Sequence, residues 1–156
     1  MGRQSIGEHD GLRLFMVEPK STSLVFSNLM AAVGEVMLRW GYLEVEMLKK
    51  LASSGYGAMP RATPLQQWRI VSARAASDVS AWTEEIERSA QVRNLLAHGL
   101  IGGHAQPTVG DPGVVCRDMD GQHHEISYDT LTDAAKILDI VRHRLHREPD
   151  DLLLGA

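Results

Sequence analysis

From about Leu24 to Ala52 the chain places Phe26, Met30, Val33, Met37, Trp40, Leu48 and Leu51 at three- and four-residue steps, the spacing of one apolar helical stripe. Glu35/Arg39 and Glu46/Lys50 are four apart and predict a solvated face of paired charges. Ser53-Ser54-Gly55-Tyr56-Gly57 should end this helix. A second helix opens at Thr63-Pro64-Leu65-Gln66, where Thr63 and Gln66 form a capping box and Pro64 suits the first helical position. It is expected to reach about Ala76. Asp78 should cap a third helix, with Glu84, Glu85 and Glu87 near its positive end and Gly99 as a left-handed stop after His98.

Polar and turn-forming positions mark the remainder. Gly102–Gly113 reads as a loop, rich in glycine and proline. Val114–Arg117 and His123–Ile126 flank Asp118-Met119-Asp120-Gly121-Gln122, an Asp-Gly signal for a β-hairpin over about 114–127. The last helix begins near Asp129 and carries Leu131, Ala135, Leu138, Val141 and Leu145 at helical spacing. The fold expected is mainly α: an up-and-down bundle of about four helices with a small hairpin before the last. Residues 1–22 read as an N-terminal arm with at most a short strand around Leu12–Val17, 23–150 as one helical domain, and 151–156 as a tail.

Composition narrows the class. A chain of 156 residues, 44% hydrophobic and 23% charged, suits one ordinary globular domain. No apolar run approaches the ~20 residues of a membrane-spanning helix, and the first residues lack the hydrophobic stretch of a secretory signal. One cysteine, Cys116, excludes an internal disulfide, and a cytoplasmic setting is expected. The net charge of −4 supplies no general attraction for nucleic acid, so any such contact needs a local patch.

The densest chemistry lies at Arg93-Asn94-Leu95-Leu96-Ala97-His98-Gly99. At about 100° per residue, Arg93 falls on a stripe with Val79, Trp82, Ile86, Ala90 and Ala97. Asn94 and His98 share the margin of that stripe. Val92, Leu95 and Leu96 make the other sides apolar, so this segment should be enclosed by the bundle or by a second subunit. An arginine there requires an anion or a carboxylate. Glu44, in the apolar register of the first helix, is the natural partner within the chain.

This string, late in a helix of a small α-helical domain, resembles the Arg-x4–6-His motif of the HEPN superfamily, in which the residue after arginine is usually polar. The Trp40-Gly41-Tyr42-Leu43-Glu44 turn of a long first helix and the loop after Gly99 are similar to that family as well. The resemblance covers about residues 24–147. It implies a metal-independent endoribonuclease of toxin or defence type, with RNA as substrate, no cofactor, and an antitoxin or inhibitor protein as partner. Arg93 and His98 would be the catalytic pair and Asn94 their support, with Glu44 as a further supporting residue. Arginine offers a planar fork of donors to a phosphate, and a histidine side chain titrates near neutrality. One histidine cannot readily be both acid and base, so the resemblance also implies a homodimer with a composite site. A non-catalytic HEPN-like binding or dimerisation module is the alternative, and a structural helix end with Arg93 satisfied by Glu44 is a third.

Other candidates carry less. His143-Arg144-Leu145-His146-Arg147 could meet RNA phosphates, but a solvated face complementing the helix dipole is the simpler explanation. Glu46 is expected at the surface. His123-His124 and the His143/His146 pair lack companion ligands, so no metal site is expected. Cys116 reads as a small buried apolar residue.

Overall fold

The structure is a computed structural model that describes residues 24–74, 77–108, 110–149 and 152–153. The N-terminal arm, including the strand expected at Leu12–Val17, lies outside the described residues. Four helices and one small sheet are arranged in the order α1 (Phe26–Ser53), α2 (Pro64–Ser72), α3 (Ser77–Gly99), β1 (Leu100–His104), β2 (Gly113–Arg117), β3 (His123–Ser127) and α4 (Tyr128–Arg147). The architecture is mainly helical with a three-stranded antiparallel sheet before the last helix. No described helix is long and apolar enough to cross a membrane.

Helix α1 buries Leu29, Ala32, Val36, Trp40, Leu43, Met47 and Leu51, chiefly against α4. This stripe is rotated from the expected one. Trp40 and Leu51 are common to both, but Phe26 and Leu48 are exposed, while Met30, Val33 and Met37 pack at the core's edge. Two apolar registers overlap on this helix, and the one that faces α4 wins. The helix then ends in a Schellman arrangement: the Tyr56 N–H donates to Leu51 O at 2.9 Å and the Gly55 N–H to Ala52 O at 3.0 Å, with Gly55 at φ +83°. Glu35 and Arg39 pair as expected, at 3.7 Å. The other expected pair does not form. Glu46 is buried and lies 3.2 Å from His146 Nδ1, while the buried Lys50 donates to the Glu148 carbonyl at 2.6 Å. The end of α4 folds over both side chains, which single-helix periodicity cannot foresee.

Helix α2 is capped as predicted. The Gln66 N–H donates to Thr63 Oγ1 at 3.2 Å, and the Thr63 N–H to Gln66 Oε1 at 2.9 Å. It stops at Ser72, short of Ala76, and is fixed by the fully buried Trp68, whose indole N–H donates to Thr83 Oγ1 on α3 at 3.1 Å. Helix α3 starts at Ser77, so Asp78 lies inside its first turn rather than at its cap. At α4, Ser127 caps by accepting from the Thr130 N–H at 3.1 Å, and Leu131, Ala135, Leu138, Val141 and Leu145 are all buried. Leu153, expected in the tail, is buried in the core.

The hairpin is a sheet of three strands. Leu100–His104, part of which reads as loop, pairs with β2 through Leu100↔Cys116, Gly102↔Val115 and Gly103↔Val114. Helix α3 runs through Gly99 straight into β1, so Gly99 is not a left-handed stop. Its role is a close approach. A Cβ at Gly99 would lie 2.1 Å from the carbonyl oxygen of Arg117, which no side chain tolerates without moving β2. Gly99→Ala should therefore lower stability by about 3 kcal/mol in urea unfolding. Thr63→Ala, which removes only the α2 cap, should cost about 1 kcal/mol.

Candidate functional site

Helix α3 carries Arg93 to the wall of a cleft of about 360 Å³. Trp40 and Glu44 of α1 form one side, Thr63, Gln66 and Arg69 at the start of α2 a second, and Glu87, Gln91, Arg93 and Asn94 of α3 the third. Trp68 pins α2 against α3 beside this cleft. The Arg93 guanidinium sits over the Trp40 ring, 5.6 Å from its centroid, within the range of a cation–π contact. One terminal nitrogen donates to Asn94 Oδ1 at 3.0 Å. The Nε of Arg93 and the indole Nε1 of Trp40 are buried and have no acceptor among the described residues.

Glu44 shares this cleft but makes no ion pair with Arg93, so the expected carboxylate partner is not engaged. Arg69, by contrast, is neutralised by Glu87. Arg93 is half-buried as the wheel suggested, yet the enclosure is incomplete. Leu96 is buried, whereas Asn94, Ala97 and His98 are exposed. His98 does not line the cleft. Five residues of α-helix separate it from Arg93, which is about 7.5 Å along the axis and about 140° around it. Asn94 lies between them: it lines the cleft with Arg93 and, four residues before His98, shares His98's face. Within one chain the arginine and the histidine are neighbours that open to different sides.

A second chemical pairing is invisible in the residue spacing, where His124 has no companion. His124 Nε2 lies 2.7 Å from Asp118 Oδ2, while Asp118 Oδ1 accepts from the Asp120 and Gln122 N–H groups at 3.0 and 2.8 Å. The hydrogen bond from His124, and after it that from Gln122, holds the Asp118 carboxyl below its ordinary value. The signal for this pair is the hairpin register: Asp118 opens the turn, and His124 returns opposite Cys116. Cys116 is fully buried, and burial raises its thiol pKa, which suits the apolar role assigned to it.

The basic run of α4 is exposed but largely paired within the chain. Arg144 pairs with Glu85 at 3.3 Å, His146 with Glu46 at 3.2 Å, and His143 lies 3.5 Å from Asp139, while Leu145 is core. A cleft of about 340 Å³ beside the Gly113 end of the sheet contains none of the predicted site residues. Compared with known proteins, the chain matches no family model, no curated protein and no solved structure.

The depressed Asp118 pKa fixes a sign. The stability that this carboxylate lends the hairpin is present above the ordinary carboxylate pKa of ~4 and is lost as the pH falls through its lower folded value. In a carboxyl NMR titration, Asp118 should titrate below the other exposed aspartates, and His124→Ala should move its midpoint upward.

Proposed function

We propose that the protein is a metal-independent endoribonuclease of toxin or defence type that acts as a homodimer in the cytoplasm, with an antitoxin or inhibitor protein as its regulator. The observation that carries this reading is Arg93: a half-buried guanidinium over Trp40, lining an open cleft, bonded to an amide rather than to a carboxylate. A permanently charged fork so placed suits a phosphate.

The residue types supply the chemistry. His98 removes the proton of a ribose 2′-hydroxyl, whose oxygen attacks the adjacent phosphorus. The bond from phosphorus to the 5′-oxygen breaks, leaving a 2′,3′-cyclic phosphate, and the departing oxygen takes a proton to become a 5′-hydroxyl. Arg93 stabilises the charge that grows on the phosphoryl oxygens, and Asn94 holds the guanidinium in place. The leaving oxygen needs an acid, and the exposed His98 of a second copy would supply it. No step needs a metal.

A second reading has one observation in its favour. Because His98 stands outside the Arg93 cleft, a single chain offers an anion site without a proton donor, as a non-catalytic nucleotide- or partner-binding module would.

Purified protein incubated with mixed RNA in EDTA should release fragments ending in 2′,3′-cyclic phosphate. Arg93→Ala and His98→Ala should each slow this by about 100-fold or more. Cleavage that survives both substitutions sinks the site assignment. RNA left intact by the wild type, together with a nucleotide-dependent rise in Tm that Arg93→Ala abolishes, would establish the binding module instead.

A further inference from the structure

Helix α1 carries a second apolar pattern that the described residues leave unused. Ala31, Gly34, Leu38, Gly41, Val45 and Leu48 succeed one another at alternating steps of three and four residues. That is a strict heptad seam, of the period that two supercoiled helices share. The buried stripe of the same helix runs at longer average steps, from Leu29 through Ala32, Val36, Trp40, Leu43 and Met47. At about 100° per residue the seam occupies an arc of about 100° facing away from α4. Leu38 is 56% exposed, Val45 64% and Leu48 40%, with Tyr42 at 53% beside them. A Cβ at Gly34 or Gly41 would meet nothing within 4 Å.

We propose that a second copy of this chain packs antiparallel along this seam. The alternation of side-chain sizes selects both the partner and the direction. In an antiparallel pair with its two-fold axis level with residues 39 and 40, Ala31 faces Leu48, Gly34 faces Val45 and Leu38 faces Gly41. Every layer sets a large side chain against a small one. A parallel pair stacks glycine on glycine in two layers and leaves voids there. Charge agrees: the antiparallel arrangement brings Glu35 and Lys49, which flank the seam on one edge, to the same end with opposite sign.

Size ties the seam to the candidate site. The half-exposed side chains leave on the order of 400 Å² of apolar surface in water, enough to mark an interaction site. A standard interface takes about 800 Å² from each partner, so the contact would extend beyond the seam, and Glu44 of the same helix borders the Arg93 cleft. A two-fold axis beside residue 40 also sets both Trp40 rings, each carrying an Arg93, at the level of the axis and on the same side of the helix pair. The seam dimer rests on the homodimer of the proposed function, but its formation is read without RNA.

The test measures mass rather than activity: light scattering after size-exclusion chromatography and analytical ultracentrifugation over the micromolar range. The wild type should be a dimer. Gly41→Leu replaces a poor helix former at a position where an added Cβ meets nothing in the single chain, so the monomer should still fold, as circular dichroism would show. The added side chain fills the socket for Leu38, and dimer Kd should rise about tenfold or more. Glu35→Lys and Lys49→Glu should each weaken the dimer, and the double exchange should restore it. A wild type that is monomeric throughout, a Gly41→Leu dimer as tight as wild type, or a double exchange that restores nothing overturns the proposal. A dimer with these responses that cleaves no RNA supports the seam and removes the ribonuclease reading; a monomer that cleaves RNA does the reverse.

Discussion

Helix α1 is apolar on more of its surface than the rest of the described chain covers, and most of the molecule depends on how that excess is divided. Leu29, Val36, Leu43 and Met47 go to the interior, where α4 presents Leu131, Leu138, Val141 and Leu145. Fully burying one such side chain contributes about 1.5–3 kcal/mol, so this contact outweighs any pair of surface charges. Once α4 has claimed that face, the rotation of α1 is fixed. Trp40 is turned towards α3, Glu44 towards the cleft, and Leu38, Tyr42 and Val45 are left in water. The candidate site and the unused seam are thus two edges of one packing decision.

The second constraint is the approach of α3 to the sheet. Gly99 brings the end of the helix against the backbone of Arg117, closer than any Cβ permits. Helix α3 passes directly into β1, and the pairing of β1 with β2 anchors the last turn of the helix. His98 consequently stands at the junction of the helix and the sheet rather than at a frayed end, a position suited to a side chain that must keep its orientation while exposed.

Elements whose pattern depends on one face alone were legible in the sequence. Every apolar position assigned to α4 is buried, and the capping box at Thr63 and Gln66 forms as expected. Where two patterns compete, local reading loses. Phe26 and Leu48 fit one helical stripe of α1, but α4 selects another. Glu46 has the spacing of a surface charge, and its burial is met by Lys49 on the same helix and by His146, which arrives from 100 positions away. Strand β1 was obscured by its glycines, which lower strand propensity in isolation but fit where Gly103 lies 3.2 Å, by its notional Cβ, from Leu29. At the candidate site, the half-burial of Arg93 could be read from periodicity. Trp40 as its platform could not, because that contact joins two helices.

Arg93 and His98 face different sides of α3, and this difference decides what kind of site the segment can make. A single copy presents a guanidinium at one place and an imidazole about 7.5 Å further along the helix. For in-line displacement at phosphorus, base and acid must stand on opposite sides of the scissile group, and α3 of one chain carries only one histidine. A two-fold arrangement removes the conflict, since each operation that repeats the arginine also repeats the histidine from the opposite direction. Under the proposed ribonuclease reading, the chemistry therefore asks for a second copy, and the heptad seam of α1 is the surface proposed for it.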